Sequence, residues 1–181
     1  MKKLSVSLKE SRFVDLINKK FTDEIRKEDI IGNLQKLKPV DIGTSVLWAD
    51  DDLCVDDKYL FTFDEVTNML KGLKWRLPTV SEVKELKKCE KDHRDDKYIF
   101  TKKGTSNETS LTFYPHGYID VLSTSKEIQF PYRVEGWTDD LDKYTDCIRI
   151  YIMDPDRYID VGRSCVKYKN SLLSVRLVKD K

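Results

Sequence analysis

Two histidines, four cysteines and a run of aspartates are the side chains of this 181-residue sequence whose types could carry chemistry, and their spacing decides which chemistry that would be. His93 stands in a charged run and His116 in a Pro115-His116-Gly117 bend. Neither adjoins a nucleophile motif, so a Ser, His and Asp catalytic set finds little support and hydrogen bonding at a turn is the ordinary role. Cys54, Cys89, Cys147 and Cys165 lie far apart with no C-x-x-C pair. With so few histidines beside them a structural zinc site is not expected, and reduced, buried thiols are. Asp50-Asp51-Asp52 and Asp56-Asp57 form an acidic loop, which reads as a solvated turn or as a site for a basic partner. No catalytic residue, metal ligand or cofactor is predicted.

The residues better suited to a functional role are aromatic. Phe130 to Tyr144 reads as a long loop carrying Trp137 with Asp139, Asp140 and Asp142. Tyr132, Trp137, Tyr144, Tyr151 and Tyr158 supply large amphipathic surface in this half of the chain, and Arg149, Arg157 and Arg163 supply bidentate donors beside them. Tyr132, Trp137, Asp139, Tyr144, Arg157 and Tyr158 are therefore the predicted ligand-binding set, suited to a glycan or a protein. Alternation along Tyr151 to Met153 must bury one face, so part of this aromatic content belongs to the core.

The elements that position these residues follow from periodicity and capping. Residues 1–38 form an N-terminal helical extension: Phe13, Leu16, Ile17, Phe21 and Ile25 recur at helical spacing, and Ile30, Ile31, Leu34 and Leu37 suggest a second helical piece before Pro39. The extension either packs on its own domain or serves as a docking arm, with Phe13, Leu16, Ile17, Phe21 and Ile25 as its partner-facing stripe. Within residues 39–181, two capping boxes stand out, Thr62-Phe63-Asp64-Glu65 and Thr79-Val80-Ser81-Glu82, with Gly72 placed to end the first helix in a left-handed turn. Trp75 and Leu77 should enter the core while Arg76 between them points elsewhere, toward a carboxylate or helix carbonyls. Short runs at 45–49, 59–61, 98–101, 110–114, 147–153, 158–161 and 172–178 read as strands, and the charged stretch between Cys89 and Lys97 does not. Early helices followed by short antiparallel strands make the fold class α+β.

Composition excludes some classes. Thirty-three basic residues against 32 acidic ones leave a net charge of +1, which is not the footprint of a nucleic-acid binder. No apolar run approaches a signal peptide or a membrane span, so no membrane association is expected.

The blocks Val40-Asp41-Ile42-Gly43-Thr44-Ser45-Val46-Leu47-Trp48-Ala49, Phe61-Thr62-Phe63-Asp64-Glu65, Trp75-Arg76-Leu77-Pro78-Thr79 with Glu82, and Ser174-Val175-Arg176-Leu177-Val178 occur in an order that resembles the Fibrobacter succinogenes major paralogous domain, over about residues 40 to 179. That resemblance implies a C-type-lectin-like fold: two helices flanking a twisted antiparallel sheet, the termini brought together, and long loops at one side. Family members often carry a Gly- and Ser-rich tract ending in Tyr-Trp-Ser-Ser, where this chain has Tyr132-Arg133-Val134-Glu135-Gly136-Trp137-Thr138-Asp139. Formylglycine-generating oxidases share the fold, but their two closely spaced cysteines are missing, since only Cys165 lies in the corresponding region. Calcium-dependent lectins of this fold need a Glu-Pro-Asn or Gln-Pro-Asp element ahead of Trp137-Thr138-Asp139-Asp140, and Phe130-Pro131-Tyr132 supplies no such ligands. The resemblance thus implies a non-enzymatic structural or attachment module: a phage virion surface or decoration protein, assembled in the host cytoplasm. Its partners would be virion structural proteins, or copies of itself, reached through residues 1–38, and a cell-surface glycan or protein reached through loops. A cytosolic bacterial ligand-binding protein is the alternative.

Overall fold

Both capping boxes form. In the computed structural model, which describes residues 27–104, 109–119, 127–128, 134–141, 145–153, 158–163 and 171–181, Thr62 and Thr79 each accept from the amide three residues on. Glu65 and Glu82 each reach back to the N–H of the cap residue. These contacts satisfy amide groups that a helix start would otherwise leave without partners. They open two short helices, Phe63–Met69 and Val80–Glu85, which follow a first helix at Lys27–Lys36. The three are α1 (Lys27–Lys36), α2 (Phe63–Met69) and α3 (Val80–Glu85). Gly72 adopts φ +77° just beyond α2, the left-handed conformation its position calls for. A 3-10 turn over Leu86–Lys88 extends α3.

The strands form three sheets. In the first, β1 (Pro39–Val40), β2 (Val46–Ala49) and β12 (Val178–Asp180) lie in the order β1-β2-β12, so the beginning and end of the 39–181 region are paired. The second contains β3 (Leu60–Phe61), β8 (Val134–Leu141), β9 (Thr145–Met153), β10 (Tyr158–Arg163) and β11 (Leu172–Ser174) in the order β10-β9-β8-β11-β3. In that sheet β7 (Tyr118–Ile119) also pairs with β11. The third sheet is the meander β4 (Glu90–Arg94), β5 (Lys97–Thr101) and β6 (Ser110–Phe113). The pairings are antiparallel except β8 with β11. Helices and largely antiparallel sheets without a closed barrel make the described chain α+β.

Two apolar clusters hold these sheets together, and strand alternation divides β2 between them: Trp48 enters one and Ala49 the other. The first gathers Phe61, Phe63, Val66, Leu77, Trp137, Leu173, Val175 and Leu177. The second packs Ile42, Val46 and Trp48 against Val83 and Leu86 of the α3 region and against Phe100, Leu111 and Phe113 of the meander. Edge-to-face contacts of Trp48 with Phe113 (6.0 Å) and of Phe63 with Trp137 (5.6 Å) add to the area term. Both buried indoles find acceptors: Trp48 Nε1 donates to Thr44 Oγ1 at 2.9 Å and Trp137 Nε1 to the Phe61 carbonyl at 2.7 Å.

Several expectations change. Phe130 to Tyr144 is not one long loop, because Val134–Leu141 is β8, a central strand between β9 and β11. The charged stretch after Cys89 is β4, paired in full with β5 through a two-residue turn at Asp95-Asp96. Both turn residues have positive φ, +48° and +59°, which matches the right-handed twist of a hairpin. The run from Leu172 to Val178 breaks at 175–177, where the chain leaves the second sheet for the first. Of the N-terminal extension, Ile30 and Leu34 are buried in the first cluster with Leu37 packed against it, so α1 belongs to this domain's own core. The predicted docking residues Phe13, Leu16, Ile17, Phe21 and Ile25 lie outside the described residues. Among the described residues no helix is long and apolar enough to cross a membrane.

Candidate binding site

Three segments far apart in sequence meet around one buried carboxylate. The stretch after β2 is zipped to the 175–177 crossing by Ala49 N–H to Leu177 O (2.9 Å) and Leu53 N–H to Val175 O (2.8 Å). This places Asp52 against Arg176, 124 positions later, with Arg176 Nε donating to Asp52 Oδ1 at 2.8 Å. Both side chains are 1% exposed. The other two guanidinium nitrogens donate as well, NH1 to the Ala49 carbonyl (3.0 Å) and NH2 to the Thr112 carbonyl of β6. The guanidinium also lies 4.6 Å from the centre of the Phe113 ring. A buried charge is tolerable only when it is paired and hydrogen-bonded in this way.

The carboxylate is not complete. Asp52 Oδ2 is buried and accepts no hydrogen bond among the described residues, and it faces His116 Nε2, likewise buried without a hydrogen bond among them, at 3.4 Å. His116 is held there by the bend between β6 and β7, which Gly117 closes at φ +64°. Its ring stacks on Tyr59 (centroids 4.7 Å apart, planes 20° apart) and lies 6.4 Å from the ring of Tyr114. Tyr59 follows the tight turn Val55–Lys58, whose ends exchange backbone hydrogen bonds of 3.0 and 2.9 Å and whose inner residues Asp56 and Asp57 have φ +50° and +60°. Pairing with the Cys54 side chain, and more weakly the charges of Asp51 and Asp57, push the Tyr59 phenol above its ordinary value. The result is an exposed aromatic residue stacked on a histidine that is backed by a buried Asp and Arg.

The second polar focus is Arg76, the residue expected to leave the core between Trp75 and Leu77. Its NH1 and NH2 grip Glu82 at 2.9 and 2.7 Å, and NH2 also reaches Asp180 of β12 at 2.9 Å. Backbone hydrogen bonds of 2.9 Å in both directions tie Arg76 to Val178. Burial would raise the Glu82 carboxyl, but hydrogen bonds from Arg76 and from the Thr79 N–H hold it below its ordinary value. Arg76 is pushed up in return, chiefly by its hydrogen bonds to Glu82. This cluster is complete, and it welds the start of α3 to the last strand.

The predicted ligand set fares unevenly. Trp137 is fully buried, its ring packed against Phe63 and its N–H given to Phe61, so it serves the core and is not part of a surface. Asp139 is exposed on β8, with its N–H bonded to the Pro78 carbonyl at 3.0 Å. Tyr158 opens β10 opposite Met153. Tyr132, Tyr144 and Arg157 lie outside the described residues. The residues that do converge, Asp52, Tyr59, Tyr114, His116 and Arg176, belong in the sequence to an acidic loop, strand ends, a turn and a framework block. Among the described residues no group of three or more His, Cys, Asp or Glu is placed to hold a metal ion. Comparison of the chain with protein-family models, with curated proteins and with solved structures finds no match in any of the three.

Proposed function

We propose that this chain is a non-enzymatic recognition module on a C-type-lectin-like framework, carried on the surface of a phage particle. A neighbouring virion protein is held through the N-terminal segment, and a host glycan or protein through the connections between strands. The observation that carries this reading is the closure of the chain on itself: β2 pairs with β12, and Arg76 joins Glu82 at the start of α3 to Asp180 at the end. A framework fastened at its ends by its own polar groups leaves the intervening connections free to vary without loss of the fold, which is what a recognition module requires.

Sedimentation of particles from the source, followed by detection of this protein in the particle fraction, tests the proposal. Recovery as an isolated cytosolic protein overturns it in favour of the cytosolic ligand-binding alternative. A pair of truncations locates the attachment. Deleting residues 1–26 should leave a folded domain that no longer sediments with particles. Deletion through Lys38 should unfold the domain more easily, by about 2–5 kcal/mol for each large apolar side chain lost, because it strips Ile30 and Leu34 from the core.

A further inference from the structure

The outward side of the Asp52–His116 contact is acidic and aromatic. Tyr59 is 39% exposed, and Asp51, Asp56 and Asp57 around it are exposed and form no ion pair among the described residues. Lys58, in the same turn, directs its ammonium away, onto Glu65 Oε1 at 2.9 Å and over the Phe61 ring. Arg176 is buried, and each of its three guanidinium nitrogens donates inward. The neighbouring Tyr114 ring already has the Lys97 ammonium 5.6 Å from its centre. Behind the surface lies the unpartnered Oδ2 of Asp52, aimed at His116. Exposed carboxylates beside an exposed aromatic ring suit a ligand that is cationic and rich in donors. Arginine and lysine are such ligands, whereas a sugar hydroxyl carries no charge to meet the carboxylates. The flat, stacked Tyr59–His116 pair selects guanidinium over ammonium, since guanidinium lies flat on an aromatic face while its edge reaches carboxylates.

We infer that Tyr59, His116, Asp51 and Asp57 form a docking surface for an arginine side chain in a basic segment of a partner protein. The inference rests on the recognition reading above and names the chemistry of one of its partners. The test titrates the peptide acetyl-Arg-Arg-Arg-amide into the full-length protein and follows the NMR signals of Tyr59 and His116. Shifts should appear at these residues and weaken as salt is raised. Tyr59→Ala should lower the affinity about tenfold, while Tyr59→Phe, which keeps the ring, should retain it. Asp51→Asn with Asp57→Asn should weaken binding and flatten its salt dependence, and Asn suits the left-handed conformation at position 57. Shifts that map elsewhere, or an affinity unchanged in Tyr59→Ala, overturn the inference. A response of Tyr59 to chitobiose with none to the arginine peptide also overturns it and makes the surface a glycan site. Loss of the peptide response while particle association persists removes this surface alone, whereas loss of particle association removes the recognition reading beneath it.

Discussion

Arg76 and Arg176 are the same side chain put to opposite uses. Arg76 is a third exposed and meets more carboxylate than it needs: both oxygens of Glu82 and one of Asp180. Arg176 is sealed from water and meets less, one oxygen of Asp52 and two backbone carbonyls, so the second carboxylate oxygen is left to His116. At the first site the surplus of acceptors closes the chain ends and leaves nothing to bind. At the second, burial encloses the charge pair, and its remaining carboxylate oxygen faces a histidine that stacks on an exposed tyrosine.

The largest expected effect follows from burial. Replacing Arg176 by Met leaves the Asp52 carboxylate without a counter-charge and the Ala49 and Thr112 carbonyls without donors. Destabilisation should reach about 3–5 kcal/mol in urea unfolding. Arg76→Met removes a pair that water can partly replace, and should cost about 1–2 kcal/mol. Equal losses at the two positions would break the comparison, because they would mean that exposure does not set the value of these pairs.

Much of the framework was legible because its signals are local. Thr62 and Glu65, Thr79 and Glu82, Gly72 and the alternation through Trp75, Arg76 and Leu77 each announce themselves within a few residues, and each is found as expected apart from Trp75, which is only partly buried. Strand β4 was hidden because Glu-Lys-Asp-His-Arg, at the edge of its sheet, has no apolar alternation to betray it. Strand β8 was hidden by Gly136 and its aspartates, although Trp137 within it is buried in the first core cluster. The candidate site was illegible for a different reason: the Asp52–Arg176 contact spans 124 positions, and His116 is brought to it only by the turn at Gly117. An aspartate among aspartates carries no sign that it alone will be buried.

A smaller effect tests how Arg76 shares its partner. Glu82 is both the acceptor for Arg76 and the capping partner of the Thr79 N–H. Thr79→Ala alone should cost about 1 kcal/mol. Combined with Arg76→Met it should depart from additivity by about 0.5 kcal/mol or more, since each change loosens the carboxylate that the other uses. Additive losses would show that cap and ion pair are independent, and the welding of α3 to β12 would then be two separate contacts.

The smallest effect is read against pH and separates the two sites by a titrating group. In the folded chain Glu82 is held below its ordinary 4.5, because Arg76 and the Thr79 N–H favour the carboxylate more than burial opposes it. In the unfolded chain these partners are gone, so between the two values the unfolded state binds more protons and stability rises with pH. The Glu82 contribution is therefore whole above the ordinary carboxylate range and is lost as pH falls through the lowered folded value. Urea midpoints measured from pH 7 down to about pH 3 should fall more steeply for the natural chain than for Arg76→Met, in which the folded and unfolded carboxyls titrate more nearly together. Parallel curves would mean that Arg76 does not hold Glu82 in its charged form. The closure of the chain ends would then rest on the β2–β12 pairing, the Arg76–Val178 backbone hydrogen bonds and the Lys181–Asp41 pair, and the contrast between an exposed arginine that fastens the fold and a buried one that backs His116 would lose its first half.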